Sequence, residues 1–193
     1  MNKYGWETIE FNDSKVSNSI VVSRTLWVDN KTTPKYKYFE EVYFNGVSDK
    51  RYAICIGINP AKAESELDDT NKRLIKALNG KYGGYCLFNV YPEITSECSS
   101  INKKDKENIE FINKVKQFLT NHKYKKWDII LFFGRTFYIP KLFVKLIKKW
   151  DKQRRKVYIT CHNNEFIHPG SNAAIELKEF KTDYMRTTIR VEI

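Results

Sequence analysis

No apolar run in this 193-residue chain reaches the roughly 18 residues of a membrane-spanning helix, so a helical membrane anchor is not expected. The start, Met1-Asn2-Lys3-Tyr4-Gly5-Trp6, carries no apolar stretch of the secretory type, and a cytoplasmic location is expected. The chain has four cysteines, Cys55, Cys86, Cys98 and Cys161, and none forms a CxxC pair. Their spacing argues against a structural zinc or iron–sulfur site. Three of them fall in or beside apolar runs, which reads as buried free thiols in a reducing compartment. No metal and no cofactor are expected. Internal repeats and long linkers are lacking too. A chain of this length suits a single domain with its own core. The expected division is one unit over residues 1–193, with a β-rich extension at 1–50 and a core at 51–175, acting as a monomer.

What the chain has in excess is positive charge. Lysine and arginine number 34 against 23 acidic residues, a formal net charge of +11, and aromatics make up 15%. A basic, aromatic-rich domain is the electrostatic footprint of a nucleic-acid binder. The plainer reading is a solvated lysine-rich surface. Basic clusters fall at 103–104, 123–126, 145–149 and 152–156, the last two on either side of Trp150.

The pattern of apolar residues predicts strands at 52–58, 85–91, 127–133 and 157–161. Helices are expected near 70–78 and 104–121, and a third follows the 127–133 strand. Asp68 and Asp69 offer N-cap side chains for the first helix, and Gly80 ends it. Ile109, Ile112, Val115, Phe118 and Leu119 share a helical face in the second. Leu142, Phe143, Leu146 and Ile147 point inward in the third. The runs 20–28 and 36–44 read as a hairpin. A helix at 173–180 and a strand at 186–193 complete the tail. Strands alternating with helices predict a three-layer α/β/α fold. Its central, mainly parallel sheet has four strands, and an N-terminal β-hairpin region is attached.

Two turns stand out on that frame. Gly57-Ile58-Asn59-Pro60-Ala61 follows the apolar run 52–56, and Ile167-His168-Pro169-Gly170-Ser171 follows the run 157–161. Each places a polar side chain and a proline-fixed turn just past a strand. In an open α/β sheet that edge is where ligands bind. Asn-Pro and Pro-Gly are also ordinary turn dipeptides, so the weight lies in the pair and its order.

These segments resemble those of the uracil-DNA glycosylase superfamily. Gly57-Ile58-Asn59-Pro60-Ala61 is similar to motif A of the mismatch-specific branch, G-I-N-P-G. Phe88-Asn89-Val90-Tyr91-Pro92 resembles a strand end of the thermophilic branch, where the asparagine reads the base edge. Leu131-Phe132-Phe133-Gly134-Arg135 is similar to an apolar strand ending in L-G. His168-Pro169-Gly170-Ser171 resembles motif B, H-P-S. The four fall in family order over about residues 52 to 175. The chain also resembles an uncharacterised bacterial and phage domain family, through Asp68-Asp69-Thr70-Asn71, Tyr82-Gly83-Gly84 and His168-Pro169.

The resemblance implies a monofunctional DNA glycosylase that flips a pyrimidine from double- or partly single-stranded DNA and leaves an abasic site, in DNA repair or antiphage defence. Asn59 and His168 are the catalytic pair it implies. Gly57, Pro60, Ala61, Asn89, Tyr85, Ser171 and Asn172 would bind substrate. Cleavage of a glycosidic bond builds oxocarbenium character on the sugar. The Asn59 amide orients water but is no strong base, and His168 donates to the departing base. Asn89 can pair with a pyrimidine edge. Ala61 stands where strict uracil enzymes carry a tyrosine that excludes 5-substituents, which implies a 5-substituted base, hypermodified phage cytosine among them, or a mismatched one.

Two departures oppose this. Gly170-Ser171-Asn172-Ala173 lacks the leucine wedge of duplex-acting members. No aromatic matches the stacking phenylalanine by position; Tyr82 and Tyr85 are merely near. Among the other residues, Asp68 and Asp69 read as N-caps before they read as a base or metal ligands. His122 reads as a solvated helix-end residue. His162 is either a second catalytic group or a loop histidine. A non-catalytic nucleic-acid-binding module is the alternative function, and a nucleoside or nucleotide hydrolase a third.

Overall fold

The computed structural model describes residues 5–17, 20–47, 51–60, 67–119, 124, 126–133, 138–139, 141–152, 156–163, 165–168, 174–180 and 190–191. Three antiparallel strands open the chain: β1 (Glu7–Ser17), β2 (Ile20–Val28) and β3 (Lys37–Phe44). Next come β4 (Tyr52–Gly57), α1 (Asp69–Leu78), β5 (Gly84–Asn89), α2 (Lys106–Leu119), β6 (Asp128–Leu131), the short β7 (Tyr138–Ile139) and α3 (Lys141–Lys152). The chain ends with β8 (Val157–His162), β9 (Glu165–Phe166), β10 (Glu176–Glu179) and β11 (Arg190–Val191). β7 and β11 form a separate two-stranded sheet.

The expected four-stranded, mainly parallel central sheet is corrected. One mixed sheet of nine strands runs β1-β2-β3-β5-β4-β6-β8-β10, with β9 also paired to β8. Parallel pairing holds only between β4 and β5, β4 and β6, and β6 and β8. Every other pair in this sheet is antiparallel. The N-terminal strands are therefore not an appendage. β3 pairs along β5, Phe39 opposite Phe88, and closes the edge that the parallel strands leave open.

Local chemistry explains the elements. β4 and β5 are apolar along their length because both of their faces are covered. α1 begins where the Asp68 carboxylate accepts the Asn71 N–H at 2.7 Å. It ends before Gly80, whose φ of +76° needs glycine. Leu74, Ile75 and Leu78 pack with Ala53, Cys55, Leu87 and Ile130 on one face of the sheet. α2 and α3 bury Phe111, Val115, Ile147 and Trp150 against Ile54, Ile56, Phe88 and Leu131 on the other.

Two further expectations change. Ile109 is 54% exposed, because Asn108, Phe111 and Val115 take the inward positions of α2. The tail helix expected at 173–180 is replaced by β10, antiparallel to β8 with Leu177 opposite Thr160. The side chains of Leu142, Phe143, Phe118 and Leu119 lie outside the described set. No helix among the described residues is long and apolar enough to cross a membrane.

Candidate functional site

β4, β5, β6 and β8 end along one edge of the sheet, and α1 starts beside that edge. Past β4 the backbone does not wander. Val90 N–H donates to the Gly57 carbonyl at 2.9 Å, Tyr91 N–H to that of Ile58 at 2.8 Å, and Thr95 N–H to that of Pro60 at 3.0 Å. The Asn59 amide joins this seam by donating to the Thr95 carbonyl at 2.7 Å. Its Nδ2 end is thereby fixed, and its orientation with it.

Gly57 is required by contact. A Cβ there would sit 2.5 Å from Phe132 Cε2 and 2.7 Å from Asn89 Oδ1, closer than packed atoms approach. The same crowding places the Asn89 amide and the Phe132 ring side by side over Gly57. Asn89 is 4% exposed, and its amide makes no hydrogen bond among the described residues. Its polar atoms are not among the sealed, unpartnered ones of the described residues.

His168 arrives by a hairpin. β8 runs on past its pairing with β6, turns at Asn163 with φ of +49°, and returns as β9 with Cys161 opposite Phe166. Ile167 N–H donates to the Thr160 carbonyl at 3.1 Å, and the Thr160 hydroxyl donates to the Ile167 carbonyl at 2.5 Å. The imidazole of His168 then lies 5.7 Å from the Phe132 ring, tilted by 53°. His168 is exposed as a residue, yet desolvation of its ring draws its pKa below 6.5, against the nearby charge of Asp68, which raises it.

Beneath the start of α1 lies a buried ionic network. Glu40 is 0% exposed. It accepts from Arg24 Nε at 2.7 Å, Lys37 Nζ at 2.5 Å and Asn71 Nδ2 at 3.1 Å. Tyr85 donates its hydroxyl to Asn71 Oδ1 at 2.7 Å. Burial would raise the Glu40 carboxyl, but Lys37 and Arg24 outweigh it and hold the pKa low. Burial, with Glu40 nearby, pushes the Tyr85 phenol well up, so it remains a donor.

Asn59, Gly57, Pro60, Asn89 and His168 thus share one edge, and Asn59 is linked to His168 through Gly57 and Phe132. Tyr85 is not at the edge: it is buried under α1, four residues back along β5 from Asn89. Tyr82 is at the opposite end of the sheet, donating to Asp128 Oδ2 at 2.9 Å. Ala61, Ser171 and Asn172 lie outside the described residues. His162 is half-buried, and its Nδ1 is buried without a partner. Sequence reasoning passed over Phe132, whose fully buried ring lies against both Gly57 and the His168 imidazole. It also passed over Glu40, an acid inside an apolar strand. Among the described residues no group of three or more His, Cys, Asp or Glu could hold a metal ion.

Residues 45–169 match the family described as a protein of unknown function, DUF1643. The match covers more than half of the chain, and the chain belongs to that family. No curated protein and no solved structure matches it.

Proposed function

We propose that this chain is a DNA glycosylase that hydrolyses the N-glycosidic bond of a modified or mismatched pyrimidine. The observation that carries the reading is that the strand ends bring Asn59, Asn89 and His168 to one edge of the sheet. Such a group suits the edge of a flat heterocycle, the Asn89 amide supplying both a donor and an acceptor. The net charge of +11 favours a polyanion as the carrier of that base.

In this reading Asn89 selects the base, and the buried Phe132 ring backs the His168 imidazole. Asn59, held by Thr95 through its NH2 end, turns its oxygen to the attacking water. His168 has its pKa drawn down by burial, so it is neutral near pH 7. It donates one N–H to the base as negative charge builds there. Loss of such a donor removes about 10²–10³ in rate. Alanine at position 61, where strict uracil enzymes carry a tyrosine, suits a base with a 5-substituent.

The test is incubation with DNA carrying plain uracil, mismatched pyrimidines or 5-modified cytosine and uracil, followed by alkali and inspection for strand breaks. Breaks are expected with the wild type and not with Asn59→Ala, which should still bind DNA. Full activity in Asn59→Ala refutes the mechanism. DNA binding with no base released from any substrate favours the alternative, a non-catalytic nucleic-acid-binding module.

A further inference from the structure

The edge opposite the candidate site has its own chemistry. Every described loop that enters a parallel strand there carries an exposed cation: Arg51 before β4, Lys81 before β5, Lys126 before β6 and Lys156 before β8. The loops are stitched together, Gly83 N–H to the Arg51 carbonyl at 2.8 Å and Ile129 N–H to the Lys156 carbonyl at 2.9 Å. Lys76 in the last turn of α1, with Lys148 and Lys149 late in α3, adds three more exposed charges. The one acid among the described residues of these strand entries, Asp128, is taken up by Arg51 at 2.6 Å and by the Tyr82 hydroxyl. No ion pair within the described residues neutralises Lys81, Lys126 or Lys156.

Aromatic rings lie between these charges. Trp127 stacks on Tyr52 with centroids 4.9 Å apart, and Tyr43 meets Tyr52 edge-on at 6.1 Å. All three rings belong to half-exposed residues.

We infer that this edge is a second nucleic-acid surface that holds a phosphodiester backbone away from the site. The inference rests on the proposed function only for the class of partner. Adjacent strands are about 4.8 Å apart, so the four entry loops span about 14 Å, close to the rise of four nucleotides at about 3.4 Å each. Basic residues interleaved with aromatic faces suit single-stranded nucleic acid. An anionic membrane fits less well, because the only exposed large hydrophobic among the described residues, Ile109, lies on α2. β4 separates this edge from Asn59 by about 20 Å, so the two edges engage different stretches of a polymer.

The test uses fluorescence anisotropy of the full chain with a labelled oligothymidylate of about 20 nucleotides, longer than a typical site of about 4–16. Salt is varied between about 50 and 200 mM. Lys81→Gln/Lys126→Gln/Lys156→Gln is compared with a control of equal charge loss on the other side, Lys103→Gln/Lys104→Gln/Lys106→Gln. The edge variant should lower the slope of log affinity against log salt by about 2, at about 0.7 per phosphate contact, and the control by much less. Equal effects of the two variants, or binding only to phosphatidylserine vesicles, would overturn the inference. Base release is measured separately on the same variants. Salt-sensitive binding through this edge without base release upholds this surface while refuting the glycosylase reading.

Discussion

Asn89→Leu separates a functional asparagine from a structural one. Leucine keeps the branching of asparagine and removes its polar atoms. Where an amide is hydrogen-bonded in the interior, that change strands its partners and destabilises the fold. Asn89 is 4% exposed and has no partner to strand among the described residues. Neither polar atom of Asn89 is both sealed and unpartnered, so leucine gives up little and relieves little. Its bulk beside Gly57 and the buried Phe132 ring costs up to about 1 kcal/mol as overpacking. For a chain of this size each kcal/mol moves Tm by about 2–4 °C, so the variant should melt within about 4 °C of the wild type. Base release or ligand binding at the edge should be lost at the same time. Loss of function at nearly unchanged stability marks a group held for a ligand. The assays are urea unfolding followed by tryptophan fluorescence, and the alkali strand-break assay on the same preparation. A loss of stability above about 1 kcal/mol refutes the reasoning, because Asn89 would then be holding the fold together.

Two other expectations follow from the electrostatics. Glu40→Gln leaves the buried Arg24 and Lys37 without their shared carboxylate and should lower stability by about 3–5 kcal/mol in urea unfolding. Because the folded Glu40 carboxyl lies below its ordinary 4.5, its contribution is complete above that pH and is lost as pH falls through the lower folded value. Glu40→Gln should flatten this part of the acid-unfolding curve. His168 has its folded pKa below 6.5, so protonation favours the unfolded chain. Its contribution to stability is complete above that pH and declines as pH falls towards the folded value, and base release should fall as the folded imidazole takes up its proton at that lower value. His168→Gln should remove both dependences, measured by unfolding and by strand breaks at stepped pH.

The turns at Asn59 and His168 were legible because each joins a polar side chain to a proline past an apolar run, a pattern independent of the rest of the sheet. The N-cap at Asp68 and the stop at Gly80 were legible for the same reason: each is decided within a few residues. The extent and direction of the sheet were not. Nothing local in residues 37–44 says that this strand lies along β5, because antiparallel partners distant in sequence are chosen by which edge is left uncovered. The stretch 173–180 has helical composition, yet Glu176–Glu179 within it becomes β10 because the free edge of β8 takes it, a tertiary contact overriding propensity. The same blindness hid the site's ring. Phe132 and Phe133 read alike as apolar strand residues, yet the alternation of β6 sends Phe132 to the α1 face and Phe133 to the opposite core. Only Phe132 can then meet both Gly57 and the imidazole that the β8–β9 hairpin folds back. Asn89 falls on that same face, in register with Gly57. A strand-end asparagine beside a glycine says little by itself; its meaning here comes from the ring next to it and from the His168 imidazole that the hairpin brings to the same edge.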